Sequence, residues 1–306
     1  MPEQLNVAIL GAGVFGRYHV MKALAHKGVA SICLYDPDIS KAQRVADEFD
    51  IDIQGGLEDA LRGCDVAVIA APAPFHGELA LQALALGKHC LIEKPLAHEL
   101  KAAQDICKLA DDKNLIVHVG HQERYVLQAI ALDTIVSKPK LIEIHRENPF
   151  NPRGTDVSVT LDLMVHDLDM VMWLMGGEPM GLLATGSCVK TDFIDRSRTE
   201  LIYENSKAVI HTSRVANTGR RSMRLTYAEG WIEIDFNART LTHNSPFMLN
   251  DKFADDPKAK DALGASDHDF YDAVLAGTAS RIPPEDGLRA LDWAIEIDRL
   301  ILGQDL

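Results

Sequence analysis

Residues 6–10 form a short β-branched run that passes directly into Gly11-Ala12-Gly13-Val14-Phe15-Gly16, a GxGxxG opening a helix. Each glycine there answers a separate steric demand. Gly11 permits the tight turn, Gly13 lets the backbone approach a diphosphate, and Gly16 allows close packing of helix on strand. The helix amino terminus adds unpaired N–H groups and the positive end of its dipole. Asp36, 20 residues beyond Gly16, ends the second strand, where a carboxylate accepts hydrogen bonds from both hydroxyls of an adenosine ribose. That charge opposes a 2′-phosphate, and Pro37 and Asp38 bring no arginine to offset it. The expected cofactor is NAD rather than NADP.

Up to residue 120 the chain alternates strand and helix signals. Strands are expected at 6–10, 30–35, 65–70, 89–92 and 115–119, with helices at 15–26, 40–49, 77–86 and 99–111. This is the rhythm of βαβ units and a parallel sheet. A helix from 124 to about 135, a strand at 141–146 and a largely apolar helix at 159–175 follow. Between 182 and 243 strand succeeds strand without intervening helices, which implies antiparallel pairing. The charged, Pro-containing stretch 250–261 reads as a solvated loop, and helices at 267–275 and 284–302 close the chain. The expected fold class is α/β. Residues 1–122 are expected to form a Rossmann-type dinucleotide-binding domain and 123–306 a second α/β domain with a mostly antiparallel sheet. A length of 306 residues suits two domains.

Hydrophobic residues at 47% and charged residues at 25% exclude wholesale disorder and fibrous classes. A formal charge of −14 repels nucleic acid and anionic membranes over most of the surface. No apolar run approaches the roughly 20 residues of a membrane span, and the start MPEQLNVAIL lacks a basic n-region, so a cytoplasmic location is expected. The five cysteines are odd in number and at least 17 positions apart, so neither a metal motif nor a disulfide framework arises. Each is expected to be a reduced, partly buried hydrophobe. The charge is uneven. Residues 205–228 hold no Asp or Glu but carry Lys207, Arg214, Arg220, Arg221 and Arg224. This strip either pairs with acidic neighbours at an interface or receives an anionic substrate.

Glu93-Lys94-Pro95 ends the fourth strand, which puts Lys94 at the carboxyl edge of the sheet, where open α/β sheets bind ligands. From position alone, Lys94 is equally an ordinary surface cation. The helix LDLMVHDLDMVMWLMG carries Asp162, His166 and Asp169 at i, i+4 and i+7, one polar stripe on an apolar helix. Burying such groups costs several kcal/mol unless each is partnered. The stripe faces a cavity or ligand, forms a closed structural network, or supplies Asp162 and His166 to a metal. No further metal ligands are evident nearby, and none is expected. Asp169, near the helix middle, also suits a domain contact.

Together GAGVFGRYH (11–19), Asp36, APAPFHGELALQALALGKHCLIEKPLA (71–97), VGHQERY (119–125), DLMVHDLD (162–169) and DFYDAVLAGTASRIPPEDGLRALDWAIE (269–296) resemble the glucose-fructose oxidoreductase, inositol dehydrogenase and MocA family of sugar oxidoreductases. The resemblance implies a Rossmann domain followed by a domain whose open sheet often serves as an oligomer interface, hence a homodimer or homotetramer. It implies cofactor contacts from Gly11, Gly13, Val14, Phe15, Gly16, Asp36, Ala71, Pro72, His76, Glu93 and Lys94. It implies a catalytic group of Lys94, Asp162 and His166. Tyr125 stands where the family commonly has Phe. The string NPRGTDVSVTLDLMVHDLD (151–169) is similar to the family's UDP-N-acetylglucosamine 3-dehydrogenase branch. Membership of that branch implies a nucleotide-sugar substrate oxidised at C3, upstream of an aminotransferase in lipid A biosynthesis. Arg124, Arg153, Asp162 and His166 would contact it. A diphosphate demands cations, and Arg153 precedes the catalytic helix to supply one, unless it is a solvated loop residue. Whether Lys94 or His166 takes the hydroxyl proton is open. A free sugar or inositol dehydrogenase needs the same catalytic set without the diphosphate clamp, and a non-catalytic NAD-binding sensor needs none of it.

Overall fold

The computed structural model describes residues 3–152, 155 and 157–303. The chain divides into two compact units, Met1–Gln122 with Asp261–Leu288, and Glu123–Lys260 with Arg289–Leu306. Each is described by itself.

In the first unit β1 (Leu5–Leu10), α1 (Val14–Ala25), β2 (Val29–Tyr35), α2 (Ile39–Phe49), β3 (Asp52–Ile53), α3 (Leu57–Arg62), β4 (Val66–Ile69), α4 (His76–Ala85), β5 (His89–Ile92), α5 (Leu100–Lys113) and β6 (Val117–Val119) follow one another. The strands lie in the order β3-β2-β1-β4-β5-β6, all parallel. The run VAVI of β4 is buried throughout, as expected of a strand covered on both faces. Strand order reverses between β1 and β4, and in such sheets the ligand crevice opens beyond the carboxyl ends at that switch point. The expected strands and helices are all present, with β3 and α3 in addition.

The second unit begins with α6 (Glu123–Ala129) and β7 (Leu141–Glu147), followed by a π-helical turn (Thr160–Met164) that leads into α7 (Val165–Met175). Strands β8 (Gly181–Ser187), β9 (Arg196–Ile202), β10 (Lys207–Ser213), β11 (Arg220–Thr226), β12 (Trp231–Asp235) and β13 (Thr240–His243) complete a sheet ordered β13-β12-β11-β7-β10-β9-β8. Only β7 and β10 run parallel. Along β7 burial alternates, with Ile142, Ile144 and Arg146 turned inward. Ile142 and Ile144 join Leu168, Val171 and Met172 of α7 in one apolar core. The helix expected to reach residue 135 stops after Ala129; Ala131 takes a left-handed φ of 72° and turns the chain into a single 3₁₀ turn.

Three elements follow, α8 (Pro257–Lys260), α9 (Ala262–Ala276) and α10 (Pro284–Leu302). They bring two corrections. Residues 250–261 are not wholly a solvated loop, because Phe253 is fully buried in the core of the second unit. Residues 261–288 fold with the first unit rather than with 123–306. Phe270, Tyr271 and Val274 of α9 pack into the core of β1 and β2 with Leu5, Ile9 and Leu34. Each such side chain contributes roughly 1.5–3 kcal/mol when fully buried. Asp261 caps α9 by accepting the Gly264 N–H at 3.0 Å. Among the described residues no helix is long and apolar enough to cross a membrane.

Candidate active site

The loop between β1 and α1 is shaped by what glycine lacks. Gly11 has φ +113°, and a Cβ there would lie 2.7 Å from the Ala70 carbonyl oxygen; a Cβ on Gly16 would lie 1.8 Å from the Gly11 oxygen. Around Gly13 the situation differs: no protein atom lies within 4 Å of where its Cβ would be. The first two glycines are required by the fold, whereas the space at Gly13 is open. The amino end of α1, with Gly13 as N-cap, receives no side-chain cap, so its first-turn N–H groups stay available to an anion. Val14 and Phe15 beside it are partly exposed. Asp36 accepts the Ala12 N–H at 2.8 Å and the Asp38 N–H at 2.9 Å. These two bonds fix the carboxylate and use half of its roughly four lone-pair sites. The loop and Asp36 therefore fit the diphosphate and ribose of a dinucleotide.

The turns after β4 and β5 are braced from below. His76 is buried, with Nδ1 2.7 Å from the Pro95 oxygen and Nε2 2.8 Å from the Ala71 oxygen. Both ring nitrogens face backbone carbonyl oxygens, and the single N–H of the neutral ring donates to one of them, so His76 sits between the Ala71-Pro72 turn and the Lys94-Pro95 turn. Burial keeps its pKa below the usual imidazole value. Glu93 is buried as well. Its Oε1 lies 3.1 Å from His19 Nε2, and the opposite ring nitrogen of His19 lies 2.7 Å from Asp267 Oδ2. Burial alone would lower the His19 pKa, but Asp267 and then Glu93 overcome it and raise it to about 10. Burial would raise Glu93, yet the hydrogen bond and charge of His19 hold it below the ordinary value. Glu93 is thus an ionised anchor immediately before the partly exposed Lys94. His19 and Asp267 were not singled out from sequence; the GAGVFGRYH string contained the signal for the former.

In the second unit the single polar stripe resolves into separate pairs. Ten of the eleven residues of α7 are buried, so every polar side chain on it requires its own partner. Asp169 receives Arg124 Nε at 2.8 Å and also its Nη2, and the guanidinium lies 5.9 Å from the Trp173 ring centroid. Arg124, expected to contact substrate, is buried and held by Asp169. Asp167, left out of the stripe, is buried and holds Arg146 through Nε and Nη2 at 2.8–3.0 Å. His166 Nδ1 lies 2.7 Å from Glu123 Oε2. Glu123 Oε1 in turn accepts Arg221 Nη2 at 2.8 Å and faces Arg146 Nη1 at 3.4 Å. Burial would raise the Glu123 pKa, but His166, Arg146 and Arg221 hold it well below the ordinary carboxylate value. Asp162 sits on the π-helical turn, partly exposed, its N–H bonded to the Ser158 oxygen at 3.0 Å. Among the described residues no group of three or more His, Cys, Asp or Glu is arranged to hold a metal ion. Arg153 lies outside the described residues.

The basic strip is largely consumed internally. Lys207 meets Glu200, Arg214 meets Asp195, Arg221 meets Glu123, and Arg224 meets Glu233 at 2.7 Å while lying 4.5 Å from the Trp231 ring centroid. The five cysteines form no disulfide; Cys188 departs from expectation in being exposed.

Residues 5–121 match the model of the GFO/IDH/MocA oxidoreductase family, NAD-binding Rossmann fold, and residues 136–233 match the GFO/IDH/MocA C-terminal domain. The chain is 29% identical over 308 residues to UDP-N-acetylglucosamine 3-dehydrogenase of Acidithiobacillus ferrooxidans, covering 96% of each. The solved structure of that enzyme matches with a TM-score of 0.89 at 27% identity, over 98% of this chain and 99% of that one. The scyllo-inositol 2-dehydrogenase (NAD(+)) of Bacillus subtilis is 26% identical over 211 residues, covering 64% of this chain and 61% of the relative. An oxidoreductase of Agrobacterium radiobacter, solved with NAD⁺, L-tartaric acid and magnesium, shares the fold at 18% identity, with a TM-score of 0.85 over 99% and 97% of the two chains.

Proposed function

Because the chain belongs to the GFO/IDH/MocA family of NAD-binding oxidoreductases, we propose that it oxidises the C3 hydroxyl of UDP-N-acetylglucosamine to the 3-keto sugar nucleotide. The observation that carries this reading is the end-to-end match, 96% of both chains, to an enzyme named for that reaction. Bound NAD⁺ supplies the hydride acceptor. Gly11, Gly13, Val14, Phe15, Gly16 and Asp36 hold it, with Ala71 and Pro72 on the turn that His76 braces. Lys94, anchored through Glu93, donates a hydrogen bond to the hydroxyl oxygen as it loses its proton. His166 takes that proton at Nε2, the ring nitrogen not turned towards Glu123. Asp162 grips a neighbouring sugar hydroxyl. Arg153 meets the diphosphate, and Arg124, held by Asp169 of α7, lines the substrate side.

The same reading includes a homo-oligomer, with exposed Met180, Leu183 and Ile202 on or beside the sheet edge as its apolar contribution. It includes a cytoplasmic location, which suits free cysteines, and no nucleic-acid or membrane partner, given a charge of −14. Its product, a ketone beside an acetamido carbon, is a substrate for an aminotransferase, in lipid A biosynthesis. Incubation with NAD⁺ and a panel of nucleotide sugars, inositols and aldoses, following NADH absorbance, tests the substrate. Reduction confined to UDP-N-acetylglucosamine is expected. Reduction with a free polyol instead would move the assignment to an inositol-type dehydrogenase, and silence across the panel would favour a sensor. Lys94→Ala and His166→Ala should each lower turnover by orders of magnitude with NAD binding retained, and near-wild-type turnover in both would refute the catalytic assignment.

A further inference from the structure

Among the described residues, His19 and His166 are buried imidazoles that lie against carboxylates, in different surroundings. His19 lies between Glu93 and Asp267, with no arginine among its hydrogen-bonding partners. Its pKa rises to about 10, so it is a fixed cation. His166 Nδ1 lies 2.7 Å from Glu123 Oε2, and that carboxylate is shared with Arg146 and Arg221. Arg146 is further divided between Glu123 and Asp167. The charged groups around Glu123 are therefore His166 from α7, Arg146 from β7 and Arg221 from β11, with Asp167 behind Arg146.

We propose that Glu123 is a positioning residue for His166, and that Arg221 and Arg146 set how strongly it acts. The inference rests on reading His166 as the base of the reaction. An ionised carboxylate is acceptor-only, so Glu123 Oε2, 2.7 Å from Nδ1, favours the His166 tautomer with its proton on Nδ1 and its lone pair on Nε2. A base needs that tautomer. The same logic governs histidine bases oriented by a carboxylate elsewhere, where loss of the charge with retention of shape leaves the wrong tautomer and lowers turnover severely. The arginines have two effects. They keep Glu123 ionised, so it does not take the proton itself, and their positive charges share its negative one. The proton leaves the sugar hydroxyl and binds Nε2, the hydride leaves the same carbon for NAD⁺, and Glu123 gains and loses nothing.

Opposite signatures are expected from two substitutions. Glu123→Gln should lower kcat by about 100-fold or more, with little change in KM for NAD⁺. Its residual activity should persist to lower pH than in the wild type, because the imidazolium has lost a stabilising anion. Arg221→Met, at a half-buried position, should retain more turnover and shift the acidic limb of kcat upward by about one pH unit, because Glu123 is left less compensated. Glu123→Asp should recover part of the loss. The measurements are pH profiles of kcat and KM with NAD⁺ and whichever sugar of the panel is oxidised, alongside thermal melting and NAD⁺ binding of each variant. If Glu123→Gln does not fold, the direction of the Arg221→Met shift decides. An unchanged limb in Arg221→Met, or wild-type kcat and profile in Glu123→Gln, overturns the proposal. His166→Ala is run in parallel: retained turnover there refutes the base assignment itself, whereas an inactive His166→Ala beside a normal Glu123→Gln refutes only the role of Glu123.

Discussion

Replacing Asp169 by Asn removes one charge and almost no volume from the middle of α7. In the native chain both carboxylate oxygens are occupied by Arg124, and Asp169 is 1% exposed against 6% for Arg124. Asparagine retains one acceptor oxygen, so one hydrogen bond survives, but the buried guanidinium loses the charge of Asp169. Breaking a buried pair from one side costs about 3–5 kcal/mol, and the surviving bond puts the expected loss near the lower end, about 3 kcal/mol. For a unit of this size that lowers the melting temperature by roughly 6–12 °C. The assay is direct, since Trp173, Trp231 and Trp293 are the three tryptophans of the chain and all lie in the second unit. Their fluorescence during melting or urea denaturation reports that unit alone. Asp169→Leu combined with Arg124→Met should recover most of the loss, because no unpaired charge then remains. A melting point for Asp169→Asn within about 1 °C of the wild type would refute the reasoning, and so would strictly additive losses in the double variant.

The glycine loop separates folding from binding. Gly13→Ala, whose new methyl meets no protein atom within 4 Å, should melt like the wild type yet bind NAD⁺ at least about 10-fold more weakly, because the methyl stands where the diphosphate approaches; calorimetric titration measures this. Gly16→Ala, driven against the Gly11 oxygen, should lose stability as well, and equal behaviour of the two variants would contradict the distinction. For His19 the folded pKa, about 10, exceeds the ordinary 6.5. Its contribution is therefore complete below about pH 6.5 and lost as pH rises through about 10. Calorimetric melting between pH 7 and 10 should show the first unit weakening more steeply in the wild type than in His19→Asn, and parallel slopes would exclude the ion triad as the cause.

What the residues reveal by themselves depends on how local the determinant is. The β1 turn, Asp36 and the helix 284–302 are written in spacing and punctuation, and the structure reproduces them. For α7 the sequence states a demand rather than an answer: an apolar helix with His166, Asp167 and Asp169 must find partners. Which partners depends on tertiary packing, since Glu123 and Arg146 lie 43 and 21 positions from His166 and Asp167 in the sequence. The stripe drawn from i, i+4 and i+7 omitted Asp167 because it treated the helix as one-sided, and Asp162 belongs to a π-helical turn whose phase differs from that of α7. The return of 261–288 to the first unit was illegible for a related reason. Phe270, Tyr271 and Val274 declare an apolar face, but a hydrophobic face does not specify which of two cores it enters.

The cations sharpen the substrate argument in the same way. A net charge of −14 with an acid-free segment at 205–228 invites the view that this segment receives an anion. Three of its four guanidiniums instead neutralise carboxylates of the same unit: Arg214 serves Asp195 and donates to the Val157 oxygen at 2.7 Å, Arg221 serves Glu123, and Arg224 serves Glu233, while exposed Arg220 donates to the Ser222 hydroxyl at 3.2 Å. Arg124 serves Asp169. Attracting a diphosphate with any of these paired guanidiniums would require withdrawing it from its carboxylate, and for the buried ones the exchange is unfavourable by the same several kcal/mol that stabilise the pair. Arg153, singled out for the diphosphate in the nucleotide-sugar reading, lies outside the described residues. Asp162 and His166 are free of that burden, since a sugar hydroxyl makes no demand for positive charge.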